Sequence, residues 1–163
     1  MLMTPKGNLL RNPGFELGLR FWEVPQTLPY TIKANVSARA LFPHSGLAAL
    51  ALNELDGEYL SVVYQDVRIS PCKCYQLDFA VSGAGGPARL SAEVHWLDDD
   101  NEDLGVALVL FVPEVGRACD GQWSLYTGGT DEAPLGARRA RISFASAGGC
   151  QVLVDDAAFF KIE

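Results

Sequence analysis

The alternation in Leu90-Ser91-Ala92-Glu93-Val94-His95-Trp96 is the strongest indication of the fold. Every second residue is apolar, which is the period of a β-strand with one buried face. Such a strand directs Trp96 and the other apolar side chains toward a core, and Glu93 and His95 away from it. This stretch therefore predicts a half-buried strand of an antiparallel sheet.

The same period of two recurs along the chain. Residues 75–81 and 140–144 alternate in the same way, and residues 59–69, 106–112, 124–127 and 152–160 are rich in β-branched or aromatic residues. Turn signals separate these runs, among them Ser70-Pro71, residues 83–87, residues 98–103 and Gly128-Gly129. Residues 45–52 come nearest to a helical pattern, but their small side chains suit a strand equally well. The pattern predicts an all-β sandwich.

Length and composition predict one globular domain. The chain has 163 residues, of which 48% are hydrophobic and 20% charged. We assign residues 8–163 to the domain and residues 1–7 to a loose leader, which lacks the apolar core of a secretory signal. The net charge of −7, with lysine and arginine scattered, argues against nucleic acid and against insertion into a membrane.

The four cysteines leave three alternatives open. Cys72 and Cys74 form a C-x-C pair, and Cys119 and Cys150 add no second pair, so the usual spacing of a zinc site is missing. Free thiols, at least one disulfide or a metal site are all compatible with this pattern. If a bridge forms, we expect it to involve Cys119 or Cys150, because neighbouring residues of an extended strand point to opposite faces.

Catalytic motifs are missing from the sequence. It contains neither a G-x-S-x-G elbow nor an H-E-x-x-H pair, and only two histidines. His44 lies in a His-Ser-Gly turn, where we expect it to make a local hydrogen bond rather than to act as a base. The sequence therefore predicts a protein that is not an enzyme.

Residues 8–22, NLLRNPGFELGLRFW, resemble the opening of carbohydrate-binding modules of families 4, 9 and 22. Further similarities follow in the order of those families: His44-Ser45-Gly46, Gln65-Asp66-Val67, residues 75–79, Trp123, residues 133–137 and Val154-Asp155-Asp156. The resemblance covers nearly the whole chain. It implies a galactose-binding-like jelly roll that binds an oligosaccharide or polysaccharide without catalysis. It also suggests the attachment part of an extracellular or surface-associated system.

The resemblance also implies a structural calcium ion. In the families it resembles, the ligands are a glycine backbone oxygen, a glutamate, a backbone oxygen near the Ser-Gly turn and an aspartate near the end of the last strand. The matching positions here are Gly14, Glu16, Leu47 and one of Asp155 and Asp156. Calcium prefers such oxygen ligands. The acidic run at residues 98–103 lacks the spacing of an EF-hand, so we expect a solvated turn there.

The polar side of the alternating strands is the candidate sugar-binding surface. We predict one open sheet face that carries Gln65, Gln76, Asp78, Glu93, His95 and Arg141. Their planar polar groups suit paired hydroxyls, although any solvated sheet also presents polar residues to water. Aromatic residues that could stack on a sugar are Trp22, Tyr30, Tyr64, Trp123 and Tyr126, of which Trp22 and Trp123 match structural positions.

A second function from a different class fits the same fold. The domain could serve assembly or protein interaction in a surface, spore-coat or phage-like structure. An accessible aromatic strip over the polar face favours the sugar, whereas a broad apolar patch or a tight oligomer favours assembly. The sequence does not identify the sugar, the oligomeric state or the remainder of any larger protein.

Overall fold

The computed structural model describes residues 7–25, 36–39, 43–53, 60–115, 122–147 and 149–163. These residues form eight β-strands: β1 (Val36–Arg39), β2 (Ala49–Leu52), β3 (Leu60–Arg68), β4 (Cys74–Leu97), β5 (Asp103–Val115), β6 (Ser124–Gly129), β7 (Arg139–Ala147) and β8 (Gly149–Ile162). The described residues contain no helix, and hence none long and apolar enough to cross a membrane. The predicted all-β class is confirmed.

Strand β4 belongs to two antiparallel sheets. Its first part pairs with β8 and β6, which gives a sheet of order β1-β2-β8-β4-β6. Its second part pairs with β7 and β5, which gives a sheet of order β3-β7-β4-β5. The turn predicted at residues 83–87 is wrong, because the chain stays extended there. The pairing with β8 instead shifts register between Ala84 and Ala88, where β4 leaves the first sheet.

The two sheets pack face to face around an aromatic core. Phe79 of the five-stranded sheet meets Phe144 of the four-stranded sheet with ring centroids 5.2 Å apart. Tyr75 and Trp96 make a similar contact at 6.0 Å. Tyr75, Phe79 and Trp96 are buried, as their alternation predicts. This arrangement is the predicted β-sandwich.

Two asparagines hold the N-terminal segment in place. The side chain of Asn8 donates to the Ala157 carbonyl and accepts from the Phe159 amide, at 3.1 and 2.9 Å, which joins the segment to β8. The side chain of Asn12 accepts from the Leu17 amide and donates to the carbonyls of Gly18 and Arg20. This segment lies outside the sheets, so no neighbouring strand pairs with its backbone groups. The two asparagine side chains supply hydrogen bonds in place of such a strand.

The turns set by Asn12 bring Phe15 and Trp22 into the core. Phe15 is fully buried and stacks on Trp22, with ring centroids 5.1 Å apart. Trp22 also donates from its indole nitrogen to the Asn12 carbonyl. The expectation that Trp22 is structural is confirmed, and Phe15 belongs to the same core.

Two further expectations concern the acidic run and the cysteines. Residues 98–102 form a turn in which the Asp98 carboxylate accepts from the amides of Asp100 and Glu102, as predicted. Cys72, Cys74 and Cys150 are free thiols, so none of them supports the disulfide alternative here. Cys119 lies outside the described residues.

Candidate functional site

The predicted ligand residues do not share one face. Glu93, His95 and Arg141 lie on the outer side of the four-stranded sheet, because the alternate residues of their strands face the core. Gln76 and Asp78 lie on the outer side of the five-stranded sheet, for the same reason. The prediction of a single face is therefore wrong. Its physical cause is β4, whose two parts belong to opposite layers of the sandwich.

Gln65 is not on an outer face either. It is 5% exposed, because β3 turns Val63, Gln65 and Val67 toward the core. The Gln65 side chain accepts from the Arg11 amide at 2.8 Å and donates to the Arg11 carbonyl at 3.0 Å. The expectation that Gln65 lies on the open face is wrong, and its amide group fixes the N-terminal segment against the edge of β3.

Arg141 is the centre of the polar outer face of the four-stranded sheet. Its guanidinium group donates to both oxygens of the directly opposite Asp66, at 2.7 and 2.8 Å. The same group lies 4.2 Å from the ring centroid of Tyr64. The hydrogen bonds to Asp66 raise the pKa of Arg141 further, so the group is a fixed cation. The interaction with Asp66 and Tyr64 holds it in one orientation.

His95 continues this face on the neighbouring strand, opposite Arg141. Its Nδ1 lies 2.8 Å from Asp103 and its Nε2 lies 3.1 Å from Glu93. The hydrogen bond from the Gly105 amide, and after it the one with the His95 imidazole, hold the pKa of Asp103 below its usual value. The row Asp66, Arg141, His95, Asp103 and Glu93 thus links acidic and basic groups across three adjacent strands and β5.

An apolar strip borders this row on β5, and the sequence analysis missed it. Val109 lies opposite Glu93, Phe111 lies opposite Ser91, and Val106 lies opposite His95. Phe111 is 58% exposed, and Val106 and Val109 are exposed to a similar extent. The continuous apolar run at residues 106–112 conceals which of its sides faces solvent, because such a run is also typical of a strand that is buried on both faces.

The other aromatic candidates are less accessible than Phe111. Trp22 is in the core, Tyr126 stacks on Phe79, and Tyr64 lies under the Arg141 guanidinium group. Trp123 is half-buried, with its ring against His44. Tyr30 lies outside the described residues. Phe111 is therefore the exposed aromatic ring that the described structure places on the polar face.

A groove of about 420 Å³ runs beside the other edge of this sheet, along β3. The N-terminal segment forms one wall and the end of β3 the other, and its lining residues are Leu9, Arg11, Phe21, Gln65, Asp66, Val67 and Arg68. The groove adjoins the polar face through Asp66, which lines the groove and binds Arg141. Sequence reasoning did not find it, because its walls are distant in sequence.

The residues assigned to calcium are brought together around the turn at residues 44–48. The Glu16 carboxylate accepts from the amides of Leu47 and Ala48, at 3.0 and 3.3 Å. A Cβ atom added to Gly14 would lie 3.7 Å from carboxylate oxygens of both Asp155 and Asp156. All five predicted positions thus belong to one region between the first segment, this turn and β8.

The two aspartates of β8 also bind this turn. Asp155 is buried and accepts from the amides of His44 and Ser45, at 3.0 and 3.1 Å. Burial raises the pKa of Asp155 to about 6; the Ser45 amide opposes this rise and the charge of Asp156 adds to it. Asp156 accepts from the Ser45 hydroxyl and lies 2.6 Å from His44 Nδ1. His44 makes a hydrogen bond, as expected, but the expectation that it is local is wrong, because its partner lies 112 residues away on β8.

These donors suit a hard cation in kind but are not gathered around one point. Carboxylate and backbone oxygens are the ligands that calcium prefers. Among the described residues, however, no three acidic, histidine or cysteine side chains are grouped as a metal site, and each acidic side chain is engaged by amide, hydroxyl or imidazole groups of the turn. The region fits calcium by chemistry and by position in the chain.

Comparisons with known structures place this fold among sugar-binding modules. The chain is similar to the enzymatically active domain of tailspike protein 4 of bacteriophage CBA120, with 18% identity, a TM-score of 0.77, and coverage of 98% of this chain but 22% of that one. A family 61 carbohydrate-binding module, TmCBM61, solved with β-1,4-galactotriose, has 22% identity and a TM-score of 0.69, with 95% and 99% coverage. A family 16 module has 19% identity and a TM-score of 0.69, with 96% and 100% coverage.

Comparison with protein-family models and with curated proteins finds no match. Modules of families 4 and 22, to which the sequence showed a resemblance, are among the further structural matches. The chain spans about a fifth of the tailspike protein but nearly the whole of each of the modules of families 61 and 16. The chain therefore has the galactose-binding-like jelly roll of these carbohydrate-binding modules.

Proposed function

We propose that this domain binds carbohydrate without catalysing a reaction, through the outer face of the four-stranded sheet. The observation that carries the proposal is the exposed Phe111 ring on the same face as Glu93, His95 and Arg141. Sugars need an apolar ring for their C–H groups and planar polar groups for their hydroxyls. The fold supports this proposal, because several modules that share it bear carbohydrate-binding names.

The hydrogen-bonding groups of this face are already oriented before any ligand binds. Arg141 is fixed by Asp66, and His95 is fixed between Glu93 and Asp103. Preorganised donors and acceptors lose little conformational freedom on binding, which favours affinity. A sugar hydroxyl could then bind a free lone pair of the Glu93 carboxylate, which His95 orients, while the sugar ring lies against Phe111.

Two double variants test the location of the site. We expect wild-type protein to bind a sugar in a panel that includes β-1,4-galactotriose and xylohexaose, measured by titration calorimetry. Combining Glu93→Ala with Arg141→Gln should weaken that binding by about tenfold or more, because two charged hydrogen-bonding groups are lost. The matched control combines Gln76→Ala with Asp78→Ala on the opposite face and should bind like wild type.

The outcomes separate the alternatives. Equal binding by wild type and the Glu93 and Arg141 double variant would move the site to another surface. A loss confined to the Gln76 and Asp78 control would place it on the five-stranded sheet. No binding by wild type to any sugar in the panel would overturn the proposal.

We also propose that Gly14, Glu16, Leu47 and one of Asp155 and Asp156 hold a structural calcium ion. The support is the presence of two adjacent aspartates, one of them buried, next to Glu16 and the turn at residues 44–48. A divalent cation would offset the mutual repulsion of these carboxylates. It would also tie the first segment to β8, which stabilises the folded state.

Thermal unfolding with and without calcium tests this site. Calcium at about 100 times its dissociation constant should stabilise the fold by about 2.7 kcal/mol, which raises the Tm by several degrees. Glu16→Gln should abolish the rise, whereas Glu102→Gln in the exposed turn should retain it. An unchanged Tm of metal-free protein on calcium addition would remove the calcium proposal.

A second candidate function is association with another protein chain, favoured by the apolar strip on β5. Among the described strands, β5 pairs with β4 only, and Val106, Val109 and Phe111 are exposed along this edge strand. An open edge with exposed apolar residues is a common site of association. Light scattering at rising concentration should then show an oligomer that the double variant Val106→Ser with Val109→Ser dissociates. A wild-type monomer throughout would contradict self-association.

A further inference from the structure

Three arginines border the groove along β3 without a carboxylate partner among the described residues. Arg11 and Arg68 line the groove, and Arg20 lies beside it. In the described part of the chain, no ion pair engages these three guanidinium groups. The net charge of the protein is −7, so three uncompensated cations at one place are a local exception to its acidic surface.

The acidic group in this groove does not neutralise them. Asp66 lines the groove, but both of its carboxylate oxygens accept hydrogen bonds from Arg141 on the sheet face. The negative charge of Asp66 is therefore paired with Arg141. Among the described residues, the guanidinium groups at the groove are therefore left without an acidic partner.

The ring of Phe21 adds an apolar surface between two of these arginines. The guanidinium carbons of Arg11 and Arg20 lie 5.4 and 5.0 Å from the ring centroid. Phe21 is 39% exposed and has a φ of 72°, which is strained for an aromatic residue. The exposed ring thus lies against both guanidinium groups at the border of the groove.

The backbone that carries these groups is held in place. Both polar atoms of the Gln65 amide bind the main chain of Arg11. The Trp22 amide donates to the Leu19 carbonyl across the turn that contains Phe21, at 2.9 Å. The position of the arginines and the ring relative to β3 is thus set before a ligand arrives.

We propose that this groove binds a uronic acid residue, so that the carbohydrate recognised by the domain is an acidic one. A guanidinium group binds a carboxylate through two parallel hydrogen bonds, and the Phe21 ring orients the guanidinium groups of Arg11 and Arg20 that lie over it. The inference rests on the proposed carbohydrate-binding function. It adds a second, charge-selective subsite that adjoins the polar face through Asp66.

The test compares an acidic sugar with the same sugar after its charge is blocked. Trimers of galacturonate, glucuronate and mannuronate are titrated against the protein beside their methyl esters, and acetate serves as an anion without a sugar. We expect at least one acidic trimer to bind about tenfold more tightly than its ester, because charged hydrogen bonds are lost in the ester. This preference should shrink as salt rises from low to high concentration.

Two variants assign the preference to the groove. In the double variant Arg11→Gln with Arg68→Gln, the ratio of acid to ester affinity should fall to about one. The exposed Arg89 on β4 does not line the groove, and Arg89→Gln should keep the wild-type ratio. A folded double variant, checked by circular dichroism, that keeps the preference would overturn the inference, as would an Arg89→Gln variant that loses it.

Failure of this inference is distinct from failure of the proposed function. Equal affinity of wild type for acid and ester would overturn the uronic acid inference and leave carbohydrate binding standing. Binding of acetate as tight as that of the trimers would overturn the sugar part of the inference. Binding of no sugar at all, neutral or acidic, would overturn both.

Discussion

The N-terminal segment, residues 8–23, contributes to two regions of opposite charge that differ in how their charges are compensated. In the acidic region, Glu16 and Asp155 both accept backbone amides of the turn at residues 44–48. In the groove, the guanidinium groups of Arg11 and Arg68 engage no carboxylate among the described residues. The first region joins parts of the fold, whereas the second is where we propose that an acidic sugar binds. Substitutions should therefore reduce stability in the first and affinity in the second.

Gly46→Ala should have the largest effect on stability. Gly46 has a φ of 61°, and an added Cβ atom would lie 2.0 Å from an oxygen of Glu16. The variant combines the strain of a left-handed alanine, roughly 1–2 kcal/mol, with displacement of the Glu16 carboxylate, roughly 1.5–3 kcal/mol. We expect a loss of about 2.5–5 kcal/mol in the free energy of unfolding, measured with denaturant.

Gly18→Ala is the matched control for this loss. Gly18 has a φ of 66°, but an added Cβ atom there would meet nothing within 4 Å. It should lose only the backbone strain, roughly 1–2 kcal/mol. If both variants lose the same amount, the Glu16 contact contributes no stability and the contrast between the two regions disappears.

Gln65→Leu should have the next largest effect, because it acts at the border of the two regions. The variant leaves the Arg11 amide and carbonyl without their partners, which costs roughly 1–3 kcal/mol when such groups are buried. It should also weaken binding of acidic trimers, since Arg11 is no longer held. Gln76→Leu on the five-stranded sheet controls for the change in side chain. A Gln65→Leu variant that keeps wild-type stability would show that this amide group is not structural.

Substitutions of Phe21 should have the smallest effect on stability, whereas they should clearly weaken the binding of acidic sugar. Phe21→Gly and Phe21→Ala both remove the ring, but only glycine relieves the strain of the φ of 72°. We expect the glycine variant to be more stable than the alanine variant by about 1 kcal/mol, measured by thermal unfolding. Both should lose acidic-sugar affinity equally. Equal stability of the two variants would mean that the backbone at this turn carries no strain.

The fold was predictable from the sequence because the pattern that indicates it, the alternation of apolar and polar residues, is local and recurs in several segments. The alternation at residues 75–81, 90–96 and 140–144 predicts half-buried strands, and all three occur. The opening motif at residues 8–22 also acts locally. The Asn12 side chain hydrogen-bonds to backbone groups of the turns that bring Phe15 and Trp22 together. Alternation predicts which side of a strand faces the core. It correctly placed Glu93 and His95 on the opposite, outer side.

The binding surface was less predictable, because alternation does not say to which layer a strand belongs. Gln76 and Glu93 lie on the same strand and both face outward, yet they are on opposite sides of the molecule. The groove depends on the approach of residues 9–21 to the end of β3, which no local pattern encodes. Gln65 was misplaced because its amide group has a backbone partner 54 residues away in the sequence. The calcium assignment and the bound sugar stay predictions.

The passage of β4 from one sheet to the other has a consequence for how the domain opens. A single strand of 24 residues hydrogen-bonds to β8 and β6 at one end and to β7 and β5 at the other. Neither sheet can lose this strand without pulling on the backbone of the other across residues 84–88. Amide protons in the two layers should then exchange with solvent through the same global opening rather than layer by layer. A sandwich joined in this way exposes its aromatic core only when the whole domain unfolds.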